Sequence, residues 1–269
     1  MRQQEEASHE AEERTSPKAL VIFEAIRREG KQELERPPSS LAWSGLAAGL
    51  SMGFSMIAEA LIASHLPDAP WTPLVSKFGY SIGFLIVILG RQQLFTEDTL
   101  TPVLQLFDET TADIWKKITR LWLIVFLANI AGAFIFSFVV SHVFIFEPIV
   151  YSQFNTFAQS TVENSFGITF FRAVFAGWLI ALIIWILPFA EQARFWVIIV
   201  ITYLIGIGDL AHIIVGSIEG FYGLFANQIT FIAFTLKFFI PALLGNIVGG
   251  VALVAAINYA QINYERGVE

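Results

Sequence analysis

Six long apolar runs fill this chain, and the second and fifth carry polar residues where hydrocarbon would be deepest. The runs cover about 41–63, 74–107, 118–143, 167–188, 195–225 and 231–259. Each approaches or exceeds the roughly 20 residues a helix needs to cross a bilayer. Lipid offers no partners to an open backbone, so the pattern predicts an all-α membrane protein with six transmembrane helices. Composition agrees, with 14% charged residues against about 25% in soluble domains. The absence of cysteine excludes disulfides, thiolate metal sites and cysteine nucleophiles.

Lysine and arginine set the orientation. Seven precede the first run, Lys116, Lys117 and Arg120 lie in the second connection, and Arg194 lies in the fourth. The connections 64–76, 144–166 and 226–230 hold none. A multi-pass protein of the inner (plasma) membrane is therefore expected, with both termini cytoplasmic. Residues 1–16 read as a disordered acidic cytosolic tail, 17–38 as an amphipathic helix stopped by Pro37-Pro38, 39–262 as the six-span domain, and 263–269 as a cytosolic tail. The amphipathic helix either lies on the membrane surface or packs on the protein's own inner face.

The second run breaks at GRQQLFTEDTL (90–100) and the fifth near GIGDLAHIIVGS (206–217). A full turn to solvent at the first break would leave two helices too short to cross, so both sides of it are expected to serve one crossing. The third run contains ANIAGAF and the sixth GNIVGGV, so Asn129, Ile130 and Gly132 match Asn246, Ile247 and Gly249. Phe95 precedes Asn129 by 34 residues, and His212 precedes Asn246 by 34. Three spans per half makes the second copy inverted, and paired interruptions in inverted repeats mark substrate sites.

LFT before a polar turn, the Trp122–Ala133 pattern W-L-x-V-x-x-x-N-x-x-G-A, a lone His in the fifth break and GNIVGG together resemble the formate–nitrite transporter family. The resemblance spans about residues 17–262. It implies an aquaporin-like protomer, a homopentamer with one pore per protomer, and small monovalent anions such as formate, nitrite, hydrosulfide or short carboxylates as substrates. It further implies a loop after Phe95 and Thr96, with Thr96 meeting His212 between two apolar constrictions. The cytosolic-side constriction falls on Tyr80 and Phe84, and the other near Leu204 or Ile205. Gly177 and Gly216 stand where the family often has Asn, and Ala211 where it often has Glu. Glu97 and Asp98 replace small neutral residues.

His212 is the one histidine well inside a run. It either bonds a backbone carbonyl or lends a proton to an anion, since an arriving anion favours the imidazolium. Thr96 is either a helix cap or a hydroxyl donor to that anion, and half-helix N-termini would add a positive dipole end. Arg91, Glu97 and Asp98 read as a self-neutralising cluster bracing the loop, or as a gate. Arg172 is a partner for that cluster or an interfacial arginine, and Asp209 and Glu219 flank His212 as alternative proton acceptors. No catalytic or metal site, cofactor, enzyme activity or nucleic-acid partner is expected; the partners are a small anion and the lipid bilayer. A neutral-solute pore, without the Asn-Pro-Ala tripeptides of aquaporins, and a membrane scaffold or sensor are the alternatives.

Overall fold

Pro37 closes one helix and Pro38 opens the next, because proline suits a first helical turn and no later one. In the computed structural model, which describes residues 19–108, 110–255, 257, 260 and 261, these are α1 (Ala19–Glu35) and α2 (Pro38–Ser64). They are followed by α3 (Thr72–Leu89), α4 (Gln105–Asp108), α5 (Ala112–His142), α6 (Pro148–Ser160), α7 (Phe166–Ile186), α8 (Arg194–Ile207), α9 (Ile213–Phe225) and α10 (Phe231–Ala252). Five helical segments are long and apolar enough to cross a membrane. The fifth run is the one split into two shorter helices, α8 and α9. The expected tails at 1–16 and 263–269 lie outside the described residues.

The second run differs from expectation. Helix α3, 18 residues, is by itself long and apolar enough to cross a membrane; Gly90 and Arg91 are exposed at its end. The chain then turns back inside, burying Leu94, Phe95, Thr96, Asp98, Thr99 and Leu100 before it reaches α4. So the polar stretch is half mouth and half re-entrant loop. The 144–166 connection also carries structure: α6 buries Val150, Phe154 and Ala158, one face at a four-residue period.

Close helix crossings depend on glycine. A Cβ on Gly49 of α2 would lie 2.2 Å from the Asn129 carbonyl of α5, and one on Gly177 of α7 would lie 2.4 Å from that of Asn246 in α10. The two halves thus build the same crossing. A π-helical turn at Phe234–Phe239 in α10 precedes Pro241, and it seats Phe238 and Phe234 against Gly216 and Gly220 of α9.

Helix α1 packs on the protein. Phe23, Ile26, Gly30 and Leu34 are buried, with Phe23 and Ile26 against Leu100, Val103, Leu104 and Ala181. Gln105 Nε2 donates to the Arg27 carbonyl (2.6 Å), and Arg120 donates to that of Leu34 (2.6 Å). On its outer side, hydrogen bonds from Arg27, then Arg28, hold the Glu24 carboxyl down at about 2.

Candidate functional site

Two asparagines satisfy the backbone groups that each re-entrant turn leaves open. Asn129 Nδ2 donates to the carbonyls of Gly45 (2.8 Å) and Gln93 (2.9 Å), and its Oδ1 accepts from Phe95 N–H (2.8 Å). Asn246 Nδ2 donates to the carbonyls of Ala173 (2.8 Å) and Ala211 (2.9 Å), and its Oδ1 accepts from Ile213 N–H (2.8 Å). Both side chains are fully buried. Unpaired backbone groups at such depth would cost several kcal/mol each.

These bonds correct the sequence register. Gln93 pairs with Ala211 and Phe95 with Ile213, so the mirror of His212 is Leu94, one residue from the spacing drawn on Asn129 and Asn246. The same register matches Arg91 (φ 51°) with Asp209 (φ 46°), both in the left-handed region at the start of re-entry. The repeat therefore places an arginine at one mouth and an aspartate at the other.

Two cavities approach the middle from opposite faces. The outer one, about 150 Å³, is lined by Lys77, Tyr80, Arg172, Asp209, Glu219 and His212, among others. The inner one, about 390 Å³, lies between α1, the re-entrant loop and Arg194. Between them His212 Nε2 lies 2.8 Å from Thr96 Oγ1, and both residues are buried. Val215 N–H donates to His212 Nδ1 (3.3 Å), the helix-capping role at the start of α9. With Nδ1 accepting, the proton of the neutral ring is assigned to Nε2, which donates to Thr96. That leaves the Thr96 hydroxyl hydrogen to point at a ligand.

Phe84 stands edge-on to the His212 ring, centroids 5.0 Å apart, and Tyr80 lies 5.4 Å from Phe84. Tyr80 lines the outer cavity, not the cytosolic side expected, because α3 enters from the face opposite α1 and reaches Tyr80 first. Ile205 also lines the outer cavity, whereas Leu204, its neighbour on α8, turns outward and is half exposed. The Phe95 ring packs on Phe126 (4.9 Å) and Trp122 (6.1 Å) of α5, so Phe95 contributes its backbone N–H and not a pore-facing ring. Among the described residues a helix N-terminus meets the centre at α9 alone; the second run returns through turns at 95–104.

Gly216 leaves no room for an asparagine near His212, since its Cβ would meet the Phe238 ring at 2.0 Å. The expected self-neutralising cluster is also overturned. Arg91 pairs with Glu29 of α1 (3.0 Å), while Glu97 Oε1 and Asp98 Oδ2 are buried with no hydrogen-bond partner among the described residues. Trp122 Nε1 donates to the Asp98 backbone carbonyl (2.7 Å).

Lys77 of the outer cavity belongs to a buried pair that the sequence pattern did not reveal. Glu59 of α2, 3% exposed, lies 2.7 Å from Lys77 Nζ, and Asp209 is 3.7 Å from the same nitrogen. Arg172 donates to the Asp209 carbonyl (3.4 Å), which places it at this mouth. Glu59 is a lone carboxylate in an otherwise apolar run, and that alone could have flagged it.

The formate/nitrite transporter family model matches residues 20–260. An inner membrane protein of Escherichia coli K12, YfdC, is 39% identical over 251 residues, covering 93% of this chain and 81% of that protein. The formate channel BtFdhC of Bacillus thuringiensis is 22% identical over 254 residues, 89% and 93% of the two chains. Among solved structures, a pentameric formate channel with formate bound aligns with TM-score 0.70 at 19% identity, over 88% of this chain and 99% of the other. An FNT family ion channel aligns with TM-score 0.79 at 18% identity, over 90% and 99%. At these identities the structural likenesses speak for the fold.

Proposed function

Because this multi-pass membrane chain belongs to the formate/nitrite transporter family, we propose that it passes a small monovalent anion or its weak acid, with His212 handling the proton. The family consists of channels and transporters, not enzymes. The observation that carries the finer reading is the buried Thr96–His212 hydrogen bond, with His212 lining the outer cavity and Glu97, the residue after Thr96, lining the inner one. Formate, nitrite, hydrosulfide and short carboxylates form the substrate class, and a homopentamer with one pore per protomer is the proposed assembly.

The chemistry follows from the tautomer. An anion in the outer cavity accepts the Thr96 hydroxyl hydrogen and faces the positive end of α9. A proton arriving at His212 Nδ1 displaces the Val215 N–H and makes an imidazolium. Nε2 then passes its proton to Thr96 Oγ1 as the hydroxyl proton moves to the anion. The products are a neutral acid and a neutral imidazole protonated at Nδ1, so charge and protons balance. The neutral acid passes the Phe84 ring, where a bare anion would lose its hydration without recompense.

Purified protein in proteoliposomes tests this reading. Flux of formate, nitrite, acetate, lactate, hydrosulfide and a neutral solute is measured across imposed pH gradients. At least one of the small anions is expected to move, faster with acid outside. Absence of anion flux under every gradient, or flux of the neutral solute alone, contradicts the reading.

A further inference from the structure

On the inner side of Thr96, three acceptors face no donor. Gln92 Oε1, Gln93 Oε1 and Glu97 Oε1 are buried without a hydrogen-bond partner among the described residues. All three residues line the inner cavity, and Gln93 is only 8% exposed. Unpaired buried acceptors are costly in any protein, so a set of three lining one cavity points to a ligand that brings hydrogen. A bare anion brings none, and the Glu97 carboxylate repels it.

The charged groups around Glu97 are otherwise arranged to receive an anion. From α1, Arg28 and Arg36 line the same cavity, as do Glu29 and Glu33. Arg36 is held by Glu33 (3.0 Å) and Arg91 by Glu29 (3.0 Å). Arg194, at the start of α8, has a buried Nε without a partner. Asp98, the next residue in the loop, points its unpaired oxygen into buried surroundings. The cavity thus offers acceptors next to Thr96 and guanidinium groups beyond them.

We infer that Glu97 is an inner proton acceptor: it takes the proton from the neutral acid arriving past Thr96 and releases the anion into the arginine-lined cavity. This rests on the transport reading above. The step balances, because the acid O–H breaks, the Glu97 carboxylate gains that proton, and the anion keeps the electron pair. Glu97 then returns the proton to cytosolic water. Gln92 and Gln93 accept the acid's O–H hydrogen bond in turn before it reaches Glu97, so they are positioning residues.

The test uses the full chain in proteoliposomes, following formate uptake as the inner pH varies at constant outer formic acid concentration. Wild type is expected to show an inflection in the inner-pH profile. Glu97→Asp should keep it at a displaced pH, and Glu97→Gln should lose it while the outer-pH profile stays. In infrared difference spectra, nitrite added to wild type should raise a protonated-carboxyl band that Glu97→Gln lacks. An inner-pH profile unchanged in Glu97→Gln, or no such band in wild type, overturns the inference alone. A wild type that moves neither formate nor nitrite defeats the transport reading and this step with it. If Glu97→Gln does not assemble, the wild-type band and the displaced Glu97→Asp profile decide between the same outcomes.

Discussion

Asn246→Leu is expected to lower the thermal midpoint and the yield of folded protein sharply, and Asn129→Leu to match it. Each asparagine holds one carbonyl and one N–H of re-entrant chain and ties them to a carbonyl of a neighbouring helix, Gly45 of α2 or Ala173 of α7, and leucine satisfies none. An interhelical hydrogen bond inside a membrane is worth only about 0.6 kcal/mol on average, because unfolded helices find substitute partners. That figure does not govern here. The orphaned groups belong to backbone that has left its helix and is sealed by α2 and α5, or by α7 and α10. At about 1–3 kcal/mol for each orphaned buried group, the two groups of each turn cost about 2–6 kcal/mol, a large share of a whole fold's stability of about 5–15. Thermal unfolding in detergent, read by fluorescence-detected size exclusion, checks it. An Asn246→Leu protein as stable as wild type would remove the asparagine from this role.

Lys77→Met carries the second large effect. It strips a buried carboxylate of its partner, since Glu59 is 3% exposed and paired to Lys77 at 2.7 Å. Breaking a buried pair from one side costs about 3–5 kcal/mol, while replacing both charges with apolar residues is often neutral. The single variant should therefore be strongly destabilised and the double variant Glu59→Leu/Lys77→Met close to wild type. Thermal midpoints of the four proteins in the cycle give the answer. A double variant no better than Lys77→Met alone would show that the pair is not a closed unit, with Asp209, 3.7 Å from Lys77, taking a larger share.

Much of the fold was legible because lipid imposes long runs and leaves few alternatives. The span bounds, the breaks and the matched asparagines all follow from patterns along one strand of text. What was not legible depends on contacts across the chain. Arg91 seemed to belong with Glu97 and Asp98, yet its partner is Glu29, 62 residues away. The repeat register slipped by one because the segment from loop to asparagine is a residue shorter in the second half, which only the hydrogen bonds reveal. Leu204 and Ile205 were indistinguishable by hydropathy; helical geometry alone turns one outward. Helix α6 was readable in Val150, Phe154 and Ala158 but went unread. In the site itself, Thr96 and His212 do meet, while Tyr80, carried over from the resemblance to the cytosolic-side constriction, lines the outer cavity.

Proton handling at His212 is tested most directly by nitrite uptake into proteoliposomes, over that of protein-free liposomes, as the outer pH is lowered at constant nitrite concentration. Wild-type uptake should rise as the outer pH falls. His212→Ala, which keeps the cavities but has no ring nitrogen to meet Thr96, should slow about 100-fold, the usual loss for a positioned proton donor, and its residual rate should not respond to outer pH. A His212→Ala protein that takes up nitrite at the wild-type rate with the wild-type pH profile would contradict it.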